Sequence, residues 1–509
     1  MDTLAKLQES LIDDENLLLR VKVSILFPHV GGYSTLPFDP ATGMLEPLRP
    51  TELKALWRWW ARVVLSAVCG GKKDYKDLDI KIGKLLGSTG EKSTSSLFAV
   101  HISIDDYNAL RQRVMNSSRE NYNKFRNFGK EISELFNEFA RVAGVRCRVD
   151  KVNINSFQSI QINFKGDGRR LNEKLKSLGI NIRINHRGSL NLSPKKIEEL
   201  KKVSEATKGG GGRGNDRLMT DLESFFKHGG IARLFLLSQK RKDEEYEYYL
   251  RRLAAEAAVI NNLSKVKATI ELRLSRLRGK VMRDEADISF ALWTFMSSLI
   301  FGAIGYASRR GFGSIVIERI EKGPALSRLE GSSSNSSLKN DFSVLEKTLN
   351  SLNTTDNPDE VKRSLNFILE ESLKRALKYA QVSQGGIDIN DIPKVPSAIP
   401  NSDYFRIEVF KCSEPLHALQ CISKSTLKAE WVRVVRSNPK INTLPSQFHT
   451  WILGLPRGKP GNGGYFIDQE GRSTGRRASA IHFKLWENEH GTFIFTRAWN
   501  IHIYLRIFK

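Results

Sequence analysis

The chain has 509 residues, 40% of them hydrophobic, and its 80 Lys+Arg against 56 Asp+Glu give a formal net charge of +24. That length implies two or three domains, the apolar fraction is ample for real cores, and the positive excess points to a polyanionic partner, nucleic acid ahead of anionic membrane. Cys69, Cys147, Cys412 and Cys421 stand far apart with no C-x-x-C pair, which argues against zinc ribbons and a disulfide framework and fits a reducing, cytoplasmic setting. The opening MDTLAKLQESLIDDEN is polar and acidic, unlike a secretory signal.

Taken in order, Val21–Phe27 alternates and predicts a strand. Thr51–Val68 predicts a helix, with Leu53, Leu56, Trp57, Trp60, Val64 and Val68 on one face and Pro50 at its start. Leu97–Ile104 reads as a second strand. A long, irregular, very basic stretch follows, from about Asp105 to Lys265, including the glycine tract Lys208–Arg217. That tract lacks the apolar surface to order itself, and the stretch is either a flexible loop or a segment that orders on RNA. Val266–Leu274 alternates again, a helix is expected around Asp287–Ile304, and Ser314–Ile320 completes the set as a strand. The order β-α-β, insertion, β-α-β is the split ferredoxin-like arrangement.

Ile288–Ser308 contains no charged residue and is long enough to span a bilayer. Its serines, threonine and glycines favour a core helix buried against a sheet. Leu329–Asn340 (LEGSSSNSSLKN) reads as a linker. Two helical patterns follow, Asp341–Leu352 and Pro358–Gln381. The end is β-rich, with alternation at Phe405–Phe410, Ala480–Leu485, Thr492–Phe495 and Ile501–Ile507.

Three basic features stand out. Gly302–Ser314 (GAIGYASRRGFGS) surrounds Arg309 and Arg310 with four glycines. Glycine permits φ > 0 and close approach to the backbone, consecutive amides form an anion-binding concavity, and arginine matches phosphate geometry. The segment is either a phosphate clamp or a tight helix-to-strand turn with two solvated arginines. Lys54, Arg58 and Arg62 lie at i, i+4 and i+8 on the first helix, where like charges disfavour the helix and only Glu52 is at hand on it. A polyanion along the ridge would reverse that cost. Trp59, off the apolar stripe, faces either a base or a second packing surface. Near the end, Pro456–Gly464 (PRGKPGNGG) and Arg472, Arg476 and Arg477 repeat the theme.

Several of these motifs carry a resemblance. LFPHVGG (Leu26–Gly32), LRPTELKALWRWWARVV (Leu48–Val64), LLGSTGEKSTSSLFAVHI (Leu85–Ile102), GAIGYASRRGFGS, LGLPRG (Leu453–Gly458) and GRRASAIHF (Gly475–Phe483) resemble, in order, signatures of the RAMP superfamily, the repeat-associated proteins of CRISPR effector complexes. Within it the likeness is to subunits that cap the head end of type III-B (Cmr) complexes. The chain departs from the family at Lys54-Ala55, where glycine precedes the tryptophans, and at Leu85-Leu86, where phenylalanine is usual.

The resemblance implies an α+β chain with two ferredoxin-like (RRM-like) RAMP domains, a large basic insertion and helical additions. The expected divisions are a helical extension at 1–20, a first RAMP domain at 21–320 interrupted at about 105–265, a linker at 321–340 and a second, helix-then-strand domain at 341–509. It implies a non-catalytic subunit that contacts guide RNA near its 3′ end, target RNA and other RAMP subunits, with no membrane association, cofactor or metal. The RNA contacts carried over by the resemblance are Arg58, Arg62, Arg309, Arg310 and the backbone of Gly311, Phe312, Gly313 and Ser314; the basic features themselves add Arg49, Lys54, Arg476 and Arg477 to the expected set. Some relatives cleave RNA through a histidine or a loop aspartate, which makes His29, as a general base, and Asp39, as a metal ligand, the rival candidates for a nuclease. Both also fit ordinary turn chemistry.

Overall fold

The computed structural model describes residues 14–28, 37–69, 75–88, 93–157, 159–207, 213–227, 244–275, 284–305, 308–331, 337–382, 397–398, 405–425, 466–467, 473–474 and 481–499. In chain order these form β1 (Leu17–Leu26), the short pair β2 (Phe38–Asp39) and β3 (Met44–Leu45), α1 (Pro50–Val68), α2 (Tyr75–Leu86) and β4 (Phe98–Ile104). Next come α3 (Tyr107–Val142), β5 (Cys147–Ser156), β6 (Ser159–Gly166), α4 (Gly168–Ser177), β7 (Ser189–Leu192), α5 (Ile197–Thr207), α6 (Arg213–Lys227) and α7 (Tyr246–Asn262). After β8 (Lys265–Leu274), α8 (Glu285–Phe301) and β9 (Ser314–Lys322) lie three helices: α9 (Pro324–Gly331), α10 (Ser337–Thr354) and α11 (Pro358–Ala380). The chain closes with β10 (Phe405–Cys412), α12 (Pro415–Ser425), the short β11 (Phe466–Ile467) and β12 (Ser473–Thr474), then β13 (Ile481–Asn488) and β14 (Gly491–Trp499).

The chain divides into two compact units, one made of Phe38–Leu45 with Asp106–Leu263 and the other of the remainder. In the larger unit the first sheet has the order β4-β8-β1-β9, every pairing antiparallel. That is the ferredoxin-like order expected from β-α-β, insertion, β-α-β. Val21, Val23 and Ile25 of β1 are at most 1% exposed, and α1 and α8 bring the apolar cover. Trp57, on the stripe expected of α1, is fully buried, meets Phe98 and Phe295, and donates its indole N–H to Thr294 Oγ1 at 3.0 Å. Replacing such a buried aromatic by alanine costs about 3–5 kcal/mol. On the other face of the sheet Arg20 lies across from Glu271 and Glu321 on its two neighbours, an acid–base–acid row. Burial disfavours the charge on Glu271, yet hydrogen bonds from Arg273 and Arg20 outweigh it and lower its pKa.

α8 is buried along nearly its whole length, which explains the long uncharged run. Phe290 stacks on Tyr379 of α11 at 4.4 Å, and Arg375 lies over Trp293. Among the described residues no helix is long and apolar enough to cross a membrane. The helix stops at Phe301, three residues before expected, because Gly302 turns to extended backbone (φ −84°, ψ 165°). A Cβ there would stand 2.2 Å from the Ser298 carbonyl oxygen. The expected linker is helical at both ends, in α9 and at the start of α10. A second sheet, β10-β14-β13, is antiparallel throughout and follows the β-α-β-β order β10, α12, β13, β14. It matches the first three strands of a ferredoxin-like arrangement. The expected strand Ile501–Ile507 lies outside the described residues.

The smaller unit corrects the picture of an irregular insertion. α3 runs for 36 residues and packs on the sheet β5-β6-β7 together with α4 to α7. Phe125, Phe128, Phe157 and Phe225 form its aromatic centre, with ring separations from 4.9 to 6.4 Å. Buried Arg252 is held between Glu244 and Glu256 at 2.8 Å each. The β2–β3 hairpin joins this unit through Tyr107, whose hydroxyl donates to the Leu45 carbonyl at 2.9 Å. The apolar residues responsible are spread from Phe125 to Ala257, too thinly for any short window to signal a core.

Candidate functional site

The glycine-rich turn leaves α8 and reaches β9 through three left-handed glycines: Gly305 (φ +81°), Gly311 (φ +91°) and Gly313 (φ +63°). It is stitched to strands on both sides. Gly313 donates its amide to the Phe27 carbonyl at 3.0 Å, and its own carbonyl accepts from Ile304 at 3.0 Å. Ser314 Oγ donates to the Gly311 carbonyl at 2.8 Å and accepts from the Leu485 amide at 2.9 Å. The Phe483 amide donates to the Arg309 carbonyl at 3.0 Å. The expectation of exposed main-chain amides at Gly311–Ser314 is thereby corrected: the Gly313 amide already holds β1, and Gly311, Phe312, Gly313 and Ser314 are all buried.

The two adjacent arginines part company. Arg309 is exposed, whereas Arg310 is 5% exposed, its Nη1 3.4 Å from the Ile481 carbonyl oxygen and its guanidinium over the Phe483 ring. Arg310 ties the turn to β13 and does not face solvent as expected. Two further cations, which the sequence reading missed, lie beside them. Lys484 is fully buried and donates from Nζ to the Leu299 carbonyl near the C-terminal end of α8, the end of a helix that favours a cation. Arg497 is 2% exposed, lies over the Trp60 ring, and its Nε has no hydrogen-bond partner among the described residues. Burial, and after it the charge of Arg497, holds Lys484 well below the usual lysine range. Burial, then the charge of Arg309, pulls Arg497 down to about 9. Neither has a carboxylate partner among the described residues, so cations crowd here against each other. A signal was present: Lys484 alternates in phase with His482 and Trp486, and Arg497 with Phe493 and Phe495, so each is a charge inside an apolar stripe.

Trp59 takes the packing role, edge-on to Trp60 at 5.2 Å and stacked on His482 at 6.0 Å. The ridge on α1 is more neutralised than its own helix suggested. Arg49 pairs with Glu46. Arg58 Nη2 donates to the Leu86 carbonyl at 2.7 Å and to that of Gly87. Arg62 Nε meets Asp79 Oδ1 at 2.6 Å. Lys54 is half-buried, and burial first, Arg58 second, lowers its pKa. The acid that the helix lacks comes from α2, folded back beside α1, which no spacing along α1 could reveal.

Arg472, Arg476 and Arg477, the tract Pro456–Gly464 and His29 lie outside the described residues. Asp39 sits in the tight β2–β3 turn, its Oδ1 accepting from the Ala41 amide and its Oδ2 from Thr42 Oγ1, both at 2.9 Å. Among the described residues no group of three His, Cys, Asp or Glu side chains is placed to hold a metal ion.

A ferredoxin-like sheet interrupted by an insertion, closed by a glycine-rich turn with paired arginines, is the architecture the motifs implied. Residues 29–316, more than half of the chain, match the family model of the RAMP superfamily, and the chain belongs to that superfamily. It is 24% identical over 313 residues to the CRISPR system CMR subunit Cmr1 of Saccharolobus solfataricus. That match covers 60% of this chain and 56% of the relative, little more than half of its length. Among solved structures, a chain of the type III-B Cmr-beta structure bound to cognate target RNA and AMPPnP in the presence of ssDNA aligns with 17% identity and a TM-score of 0.47, covering 95% of this chain and 94% of that one. Cmr1 from Pyrococcus furiosus in its apo form aligns with 14% identity and a TM-score of 0.39, covering 95% and 88%.

Proposed function

We propose that this chain is a non-catalytic RNA-binding subunit of a type III-B (Cmr) CRISPR effector complex, holding guide RNA near its 3′ end and lying against target RNA beside other RAMP subunits in the cytoplasm. The observation that carries the reading is the group of cations at the glycine-rich turn: the charge of exposed Arg309 acts on Arg497 and that of Arg497 on Lys484, and neither of the two buried cations has a carboxylate partner among the described residues. A phosphate brought to this surface relieves repulsion that the fold otherwise tolerates, and a partly desolvated site strengthens the attraction. Contacts of this kind position a strand without reading its bases, so sequence choice falls to pairing with the guide, as in other guided effectors. The likeness to Cmr1 supports the same assignment. Arg476 and Arg477 belong to the proposed set of RNA contacts, and the ridge of Arg49, Lys54, Arg58 and Arg62 contributes as far as Glu46 and Asp79 release it.

The test is Arg309→Ala in the full chain. RNA affinity should fall alike for unrelated sequences, and the dependence of log Kd on log salt should flatten by about one unit per lost contact. Arg310→Ala should instead lower stability, because that side chain holds the turn to β13. Loss confined to particular sequences, or no RNA binding at low ionic strength by the subunit or its assembly, overturns the reading. Cleavage of guide or target RNA that vanishes in Asp39→Ala or His29→Ala would replace it with a nuclease.

A further inference from the structure

The smaller unit has a charged surface of its own. Between Arg146 and Arg187 stand ten Lys and Arg against three Asp and Glu. One face of its sheet rests on α3, where Phe136 meets Phe164 edge-on at 5.5 Å. On the other face the register sets Arg148 opposite Lys165 and Lys151 opposite Asn163. Asn153, Gln161 and Asn191 form one row across all three strands. Like charges directly opposite each other destabilise a sheet, so this pairing does not serve folding.

Asp150 holds Lys165 at 2.9 Å, but both are exposed, and such pairs contribute little. The charged ends of Arg146, Arg148 and Lys151 make no ion pair or hydrogen bond among the described residues. At the Cys147–Gly166 end of the hairpin, Arg148 and Lys165 also line a cleft of about 600 Å³, with Arg146 beside them and Asn137 and Arg141 of α3 across it. The outward positions named carry amides and cations and no aromatic ring. They lack the stacking platforms that grip single strands, while amides and cations suit the phosphate oxygens and ribose hydroxyls by which RNA duplexes are held.

We propose that the outward face of β5-β6-β7, continued into this cleft, is a second RNA site that takes the phosphate–ribose backbone of an RNA duplex. The proposal rests on the reading of the chain as an RNA-binding subunit but uses none of the residues at the glycine-rich turn.

The experiment compares the full chain with R146E/R148E/K151E, using a blunt RNA duplex and a single strand of equal length across a salt series. Duplex affinity should fall at least tenfold, the salt dependence should flatten by about three units, and single-strand binding should hold. Should charge reversal disturb the fold, as circular dichroism would reveal, R148Q/K151Q at the same sites should flatten the slope by about two units. Unchanged duplex binding, or an equal loss for both RNAs, overturns the site. So does a variant that binds RNA normally but drops out of the assembled complex, which would mark an acidic protein surface as the partner. If the unsubstituted chain binds neither RNA, the broader reading fails; if it binds single strands through Arg309 and never a duplex, this site alone fails.

Discussion

Gly313→Ala tests whether the glycine-rich turn is built for packing or for a phosphate. At φ +63° an alanine pays about 1–2 kcal/mol for the left-handed conformation. Its Cβ would stand 2.0 Å from the Ile304 carbonyl oxygen, a backbone atom that no rotamer change can move. Relieving that overlap shifts the turn and weakens two 3.0 Å bonds, Gly313 N–H to Phe27 and Ile304 N–H to Gly313, each contributing about 1 kcal/mol. The expected loss is about 3–4 kcal/mol. All eight tryptophans lie outside the smaller unit, so fluorescence during urea unfolding reports on the unit that contains the turn. With a slope of about 3 kcal/mol per molar urea, the midpoint should fall by about 1 M. Gly331→Ala, where a Cβ meets nothing within 4 Å, should leave it nearly unchanged. An unaltered midpoint for Gly313→Ala refutes the packing argument; weaker RNA binding at an unaltered midpoint would make the turn a phosphate cradle after all.

Asp79→Asn should raise RNA affinity roughly two- to fivefold by releasing Arg62 from a partly exposed pair of modest strength; unchanged titrations would remove the α1 ridge from the interface. Lys484 carries a pH signature. Its folded pKa is depressed, so between that value and the unfolded one near ~10.4 the unfolded chain binds one more proton and stability climbs with pH, by about 1.4 kcal/mol per unit. Below the folded pKa the climb is absent. Lys484→Met should remove this climb from the urea midpoint on the approach to about pH 10, and parallel profiles for the two proteins would show that the depressed Lys484 is not its source.

Periodicity placed most of the first ferredoxin-like sheet. The alternation of β1, β8 and β9 and the 3.6-residue stripe of α1 are local properties, each written within a dozen or so residues, and they fixed β-α-β, insertion, β-α-β before any contact was known. The glycine-rich turn was equally visible, as was the bulk positive charge. What each cation does was not. Arg309 and Arg310 are neighbours of identical chemistry, yet only packing against β13 buries one and leaves the other exposed. Arg62 finds Asp79 because α2 folds back, and Lys484 and Arg497 lose their water to residues far away in the chain. The core of the inserted unit draws on side chains more than a hundred positions apart. Burial and pairing are sums over distant neighbours, so they exist only once the chain has folded, whereas the pattern that shapes a strand or helix is complete in the segment itself.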